Sequence, residues 1–259
     1  MIELRDVTFT YGAGRPVFEH FNWTVQRGDT WAVIGASGGG KTTLLMMLAG
    51  LRQPASGQVI IDGQEITRPR PRTGLVLQEY GLLPWATVGE NIALGLRLRN
   101  YYGPDGLHAP ADHAVGPVRE QVSFWLKRLG IDGLRDRYPT QISGGQRQRA
   151  AIARTLVLEP DVLLMDEPFA ALDAPTREDL LSLTVELQHE QNLTLVLVTH
   201  NIEDAVFLGQ KIMVLGQPPN SVPDVVTNPQ AGRQDYRIQP GFFEQCASVR
   251  RRMTVSVAL

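Results

Sequence analysis

Three groups of residues in this chain have types and spacings that chemistry can use. The first is the run GASGGGKTT, from Gly35 to Thr43, in which four of nine residues are glycine. Gly35, Gly40, Lys41 and Thr42 fit the pattern glycine, any four residues, glycine, lysine, serine or threonine, with an apolar strand before it and a helical stretch after it. Phosphate oxygens must touch backbone N–H groups directly, and side chains would hold them off. The unpaired amides of a helix start add positive potential. Lys41 then supplies a mobile charge for terminal phosphates, and the Thr42 hydroxyl is placed for Mg²⁺. The rival reading is a strand, turn and helix with a chance lysine; the flanking elements weigh against it.

The second group is Asp166 and Glu167, which close the apolar run VLLMDEP. A carboxylate at the end of a buried strand is costly unless a cation or hydrogen bonds meet it. Beside a phosphate loop that cation is Mg²⁺, with Asp166 binding it through water. Successive strand residues point oppositely, so Glu167 cannot do the same job. If the strand ends there, Glu167 can face the terminal phosphate and polarise an attacking water. Two solvated acids capping a strand are the plain alternative. Gln78 ends TGLVLQ and His200 ends LVLVTH, both beyond the carboxyl ends of strands, where open sheets bind ligands. Gln78 could offer Mg²⁺ its amide oxygen, and His200 could meet the terminal phosphate or the water. Each reads equally as a structural polar group. Tyr11 could stack on a purine or simply pack at a hairpin.

The third group is SGGQRQRAAIARTLVLEP. Ser143 is a good N-cap, Gly144 and Gly145 follow, and Ala151, Ile152, Leu156 and Val157 form an apolar side before Pro160. This is a second helix start able to bind an anion. Either both grips converge on one nucleotide within the chain, or each chain caps a nucleotide held by another. Spacing leaves both open.

Elements must position these groups. Ile2, Leu4, Val7 and Phe9 predict one half-buried strand, and Phe18, Phe21, Trp23 and Val25 a second. TWAVIG and TGLVLQ read as buried strands, and GQVIIDG as a short one closed by an Asp-Gly turn. Between about residues 85 and 150 the spacing turns helical, in TVGENIALGLRLR and PVREQVSFWLKRLG, with a Gly-, Pro- and Asp-rich loop between them. DVLLMDEP and TLVLVTH are apolar strands separated by a helix that carries Pro175 just inside its start. Strands with helical crossovers predict a parallel sheet covered on both faces. After Val214 come Pro- and Asn-rich links without a long apolar segment.

Bulk composition bounds the rest. The 259 residues are 43% hydrophobic and 20% charged, with a net charge of −2. There is ample material for a core, and no global basic field points to nucleic acid. The single cysteine, Cys246, excludes an internal disulfide or a cysteine metal cluster and suits a reducing cytosol. The N-terminus does not read as a signal peptide. No apolar run approaches the ~18 residues of a membrane span.

Taken together, these motifs resemble the ATP-binding subunit of an ABC transporter. GASGGGKTT resembles the Walker A motif, VLLMDEP the Walker B motif with its glutamate, and ISGGQRQR the ABC signature. LVLQEYGLLPW resembles the Q-loop, ALD the D-loop and VTH the H-loop, while Tyr11 stands where the A-loop aromatic is expected. The resemblance implies an α/β P-loop NTPase with a mostly parallel sheet, an antiparallel β subdomain and a helical insert. It implies an ATPase domain over residues 1–216, with the insert at about 85–150 and a short tail at 217–259. ATP would be held by Tyr11, by Gly35, Ala36, Ser37, Gly38, Gly39, Gly40, Lys41, Thr42 and Thr43, and by Ser143, Gly144, Gly145 and Gln146 of a partner subunit. Mg²⁺ would be met by Thr42, Gln78 and Asp166. Glu167 would be the general base and His200 the γ-phosphate contact, with Gln78 linking the metal to the surface that receives a membrane subunit.

The implied partners are integral membrane permease subunits, a second ATPase chain expected to be another copy, and, indirectly, a periplasmic or extracellular solute-binding protein. The implied place is the cytoplasmic face of the cell membrane. LLPWATVGENIALGLRLR, RYPTQISGGQRQRAAIARTL and MDEPFAALDAPTRED are similar to the nitrate, taurine and alkanesulfonate importer branch. Ile142 stands where that family usually has Leu, Asn201 where an acid is common, and the stretch Asn100–Gly116 is long. Rival readings are a soluble ABC-type ATPase, as in cluster assembly, and a nucleotide-gated interaction module. Intact Lys41, Glu167 and His200 argue against the last.

Overall fold

In a computed structural model that describes residues 1–114 and 116–258, two sheets share the chain. It opens with β1 (Ile2–Thr10) and β2 (Pro16–Val25), which pair antiparallel. The step from Leu4 to Val7 is three residues where a strand face needs two. A register shift there, with Asp6 at φ 53°, absorbs the extra residue and turns Ile2, Leu4, Val7 and Phe9 to one core. His20, at φ 52°, does the same between Phe18 and Phe21.

Next come β3 (Thr30–Gly35), every residue buried, and α1 (Lys41–Leu48). Then β4 (Ser56–Ile61) and β5 (Gln64–Glu65) form a hairpin through Asp62 and Gly63. The first sheet has the order β2-β1-β4-β5 and is antiparallel throughout. After β6 (Thr73–Val76) the chain is helical: α2 (Val88–Tyr102), α3 (Val118–Arg128) and α4 (Gly144–Leu156). It then alternates through β7 (Val162–Asp166), α5 (Ala174–Gln191), β8 (Thr194–Val198), α6 (Ile202–Leu208) and β9 (Lys211–Leu215). The chain closes with β10 (Asp224–Thr227) and α7 (Pro240–Ala258).

The second sheet has the order β10-β9-β3-β8-β7-β6, parallel except for β10. Its buried strands divide their side chains by alternation. Val33, Leu164, Val196 and Met213 pack with α1 and the first sheet, whereas Ala32, Leu163, Leu197 and Ile212 pack with the later helices. Both faces are covered, which is why these strands are apolar without a polar side.

The helical stretch is anchored at its start. Thr87 and Glu90 form a reciprocal cap on α2. Buried Asn91 holds Leu83 N–H at 2.7 Å and donates to the carbonyls of Leu83, Ala86 and Thr87. Asn100 to Tyr102, which the Gly- and Pro-rich composition assigns to a loop, are the last turn of α2. Beyond them Asp105 caps the amides of Leu107, His108 and Ala109, and His108 stacks on Tyr102 at 3.8 Å. Residue 115 of this loop lies outside the described residues.

The region after Val214 holds more structure than its composition suggests. β10 is a short edge strand on β9. In α7, Phe242, Cys246 and Val249 recur every three or four residues and reach the core. Among the described residues no helix is long and apolar enough to cross a membrane.

Candidate nucleotide-binding and hydrolytic site

β3 stops at Gly35, beside its parallel neighbours β8 and β9, and the chain turns through Ala36–Gly39 into α1. Gly40, at φ 97°, is the N-cap. A Cβ on Gly40 would lie 2.6 Å from Val17 Cγ1 and 3.0 Å from Phe18 Cζ, and one on Gly39 3.0 Å from the Gly216 carbonyl oxygen. The glycines therefore serve the loop's packing on its own protein as well as leaving its amides bare. Lys41 is buried, and its Nζ donates to the carbonyls of Gly35 and Ala36 at 2.9 Å each. Burial lowers its pKa, and the charges of Glu167 and Asp166 work against that shift.

Asp166 ends β7 and is also buried. Thr42 Oγ1 lies 3.5 Å from its Oδ1, a long contact. Burial raises the Asp166 pKa; the Thr42 hydroxyl opposes this and the neighbouring Glu167 charge adds to it. Glu167 sits at φ 47°, a left-handed conformation uncommon for a non-glycine residue. Its amide donates to Val198 O at 2.9 Å, and its Oε2 lies 2.9 Å from His200 Nδ1. The chain thus turns sharply after the strand, and Asp166 and Glu167 aim differently. Tyr11 is half exposed, its hydroxyl 3.0 Å from Thr43 Oγ1 and its ring edge-on to Phe9 at 4.9 Å. It packs at the hairpin, with the Arg52 guanidinium over its ring at 5.9 Å, and keeps half of its surface open.

A cleft of about 430 Å³ is walled by Tyr11, Val17, residues of the 37–43 loop and Glu167; Asp166 and His200 stand behind Thr42 and Glu167, which they contact, and not in its lining. The donor set fits a polyphosphate with a divalent cation. Two acids face one lysine, so the cluster carries an excess negative charge that a cation would offset. Among the described residues no three His, Cys, Asp or Glu side chains gather to hold a metal alone. Mg²⁺ commonly takes one or two protein oxygens and fills its shell with water and substrate phosphates, as Thr42 and Asp166 would require.

Other expected residues stand apart from that cleft. Gln78 is exposed and lies two residues beyond the end of β6, in a turn and not at the strand's last position. The turn is tied to α4: Arg154 donates to Gly81 O at 2.6 Å, and the Arg147 guanidinium lies over the Tyr80 ring at 5.4 Å. Ser143 caps α4 as its type suggests, accepting from Gln146 N at 3.3 Å while Gln146 Oε1 accepts from Ser143 N at 2.9 Å. Among the described residues the amides of Gly144 and Gly145 have no acceptor. None of Ser143, Gly144, Gly145 and Gln146 lines the cleft around Lys41.

Sequence reasoning missed Asn220. Its Nδ2 donates to Gly39 O at 3.0 Å and to Val17 O at 3.3 Å, and its Oδ1 accepts from Gly216 N at 3.0 Å. It clamps the phosphate loop from a segment whose composition reads only as a link. Its place between Pro- and Ser-containing links offered a turn signal and nothing of the partner 181 residues away.

The strand order, the bare-amide loop over Lys41 and the acids at the end of β7 define a P-loop ATPase. Within that class the chain belongs to the ABC transporter family, whose model matches residues 18–170. It is 40% identical over 212 residues to the aliphatic sulfonates import ATP-binding protein SsuB of Bacillus anthracis, covering 82% of this chain and 78% of that protein. It is 39% identical over 222 residues to the taurine import ATP-binding protein TauB of Escherichia coli O157:H7, covering 86% of this chain and 82% of that one. A dimeric post-hydrolysis structure of the ATP-binding cassette MJ0796 bound to ADP and Pi superposes with a TM-score of 0.74 at 30% identity, over 88% of this chain and 98% of that one. The resemblance carried by the motifs holds, both for the family and for the importer branch.

Proposed function

We propose that this chain is the ATP-hydrolysing subunit of a solute importer, working as a head-to-tail pair of ATPase chains beneath a separate membrane permease. The observation that carries the enzymatic half is the pairing of Glu167 with His200 at 2.9 Å beside the Lys41 loop. The likeness to sulfonate and taurine import proteins over more than four-fifths of the chain supports the transport half.

In this reading Tyr11 stacks on the adenine, and the amides of Gly35–Thr43 hold the phosphates. Lys41 leaves the carbonyls of Gly35 and Ala36 for the terminal phosphates. Thr42 and Asp166 would hold Mg²⁺, which would neutralise developing charge on the phosphates, and Gln78, which stands apart from the cleft in this conformation, would have to move in to join them. Glu167 accepts a proton from the attacking water, and His200 orients the carboxylate and meets the γ-phosphate. The open amides of Gly144 and Gly145 on a partner chain close over the same nucleotide, which explains why they lie off the cleft of their own chain. ATP then favours the closed pair by binding it better than the open one, and hydrolysis reverses the preference.

The permease would dock on the surface around Gln78 and the start of α2. A cleft of about 420 Å³ lies there between α2 and α3, and Trp85 beside it is 74% exposed. The chain would sit at the cytoplasmic face of the membrane through that partner, with a solute-binding protein acting on the far side. Purification from detergent-solubilised membranes tests this. Permease subunits should accompany the chain, and the complex should hydrolyse ATP; a chain recovered free of membrane proteins under those conditions would refute the transport half.

A further inference from the structure

The two glycines that open α4 are each backed by another element of their own chain. A Cβ on Gly144 would lie 3.4 Å from the Tyr80 hydroxyl and 3.7 Å from Leu172 Cδ2. The same place on Gly145 is taken by Thr176 Cγ2, at the start of α5. Tyr80 comes from the turn after β6 and holds a left-handed φ of 62°, its amide donating to Leu77 O at 3.0 Å. Its side chain is partly buried and packs on the core that the helices share. Among the described residues its hydroxyl has no hydrogen-bond partner, so the working part of the side chain is the ring.

Arg147 holds that ring. Its guanidinium lies over the Tyr80 face at 5.4 Å, and one terminal nitrogen donates to Ile142 O at 2.7 Å and to Pro139 O at 3.4 Å. One side chain therefore joins the turn after β6 to the residues that lead into Ser143. Among the described residues no carboxylate pairs with Arg147; its charge rests on two carbonyls and a ring face. A cation near the start of a helix opposes the helix dipole, so fold stability alone argues against one there. Neither Tyr80 nor Arg147 lines the cleft around Lys41.

We infer that Tyr80 and Arg147 are positioning residues for ATP-driven pairing: the ring and the guanidinium stacked on it set the tilt at which Gly144 and Gly145 meet the nucleotide of a partner chain. The inference rests on the head-to-tail pairing proposed above. Both residues lie off the cleft of their own chain. They therefore act on the closed pair and leave the grip of a single chain on ATP unchanged. The aromatic face is what matters, so phenylalanine can replace Tyr80 where leucine cannot.

Tyr80→Leu, Tyr80→Phe and Arg147→Met are each placed in the Glu167→Gln chain. Pairing with ATP and Mg²⁺ is measured by sedimentation equilibrium, and ATP affinity at a chain concentration too dilute for pairing. The strength of a cation–π contact corresponds to about two- to thirtyfold in an equilibrium constant. Tyr80→Leu and Arg147→Met are expected to weaken pairing about five- to thirtyfold with single-chain ATP affinity unchanged. Tyr80→Phe should pair within about twofold of its parent. Undiminished pairing in Tyr80→Leu overturns the inference. So does a loss that phenylalanine does not rescue, or an equal fall in single-chain affinity. If Tyr80→Leu does not fold, Arg147→Met decides by its pairing and its single-chain affinity. The parent separates the layers: if Glu167→Gln stays monomeric with ATP, the head-to-tail reading fails and the inference with it; if it pairs and Tyr80→Leu pairs equally well, only the positioning role fails.

Discussion

His200 Nδ1 and Glu167 Oε2 stand 2.9 Å apart, although the two residues leave different strands, β8 and β7. The contact exists because the chain turns at Glu167 through a left-handed conformation, which swings its carboxylate out of line with Asp166. A carboxylate held by an imidazole beside a phosphate loop has the placement that the general-base role proposed for Glu167 requires.

Replacing Glu167 with Gln keeps the size of the side chain and removes its basicity. General bases contribute about 10²–10⁴-fold to rate, so turnover should fall by that order. ATP affinity should persist, and gel filtration with ATP should show an accumulated dimer. Persistent turnover with only monomer in the column would contradict the assignment.

Lys41→Ala acts on binding itself. The ammonium now donates to two loop carbonyls and would donate to phosphates instead. Hydrogen bonds to charged groups are worth about 1.5–3 kcal/mol, so affinity should weaken about ten- to a hundredfold in a calorimetric titration.

Asn220→Ala removes the clamp on the loop while leaving the backbone bonds of residue 220 in place. The Gly39 carbonyl loses its Nδ2 donor and the Gly216 amide its acceptor, while Val17 O keeps the Asn220 amide; a group left unpaired and buried costs about 1–3 kcal/mol. The melting temperature should drop, and ATP should bind more weakly than the stability loss alone explains. Unchanged ATP affinity would show that the clamp serves folding only.

Asp29 gives a pH signature. Burial raises its pKa, but Lys211, the Gln26 amide and the Trp31 indole together bring it below the ordinary 3.8. A depressed folded value means that the unfolded chain takes the proton first. Its contribution to stability is therefore complete above pH 3.8 and is lost as pH falls through the lower folded value. Urea midpoints for Asp29→Asn should lie below wild type at pH 7 and converge with it in strong acid.

Trp85 tests the partner surface. It is 74% exposed and belongs to no core cluster among the described residues. Trp85→Ala should leave the melting temperature and the basal ATPase rate of the isolated chain unchanged, and should reduce the permease recovered with it from membranes.

How much of this could be read beforehand differs from residue to residue. Gly35–Thr43 and Asp166–Glu167 were legible because their chemistry is local: bare amides and acids stand at fixed offsets from apolar strands. The buried strands were legible because a two-faced sheet removes polar alternation. Asn220 was not, since its carbonyl partners belong to β2 and to the loop before α1, and no local pattern encodes such a reach. β10 and α7 escaped notice because each needs the finished sheet or helix layer to pack on. The turn holding Gln78 depends on Arg147 and Arg154, which in sequence look like an ordinary solvated helix face.

Those two arginines lie on α4, and between them they hold the turn at Tyr80 and Gly81 by ring face and by carbonyl. Through these two contacts a displacement of that turn would bear directly on α4, the helix whose opening amides are those of Gly144 and Gly145, before it reached the sheet beneath.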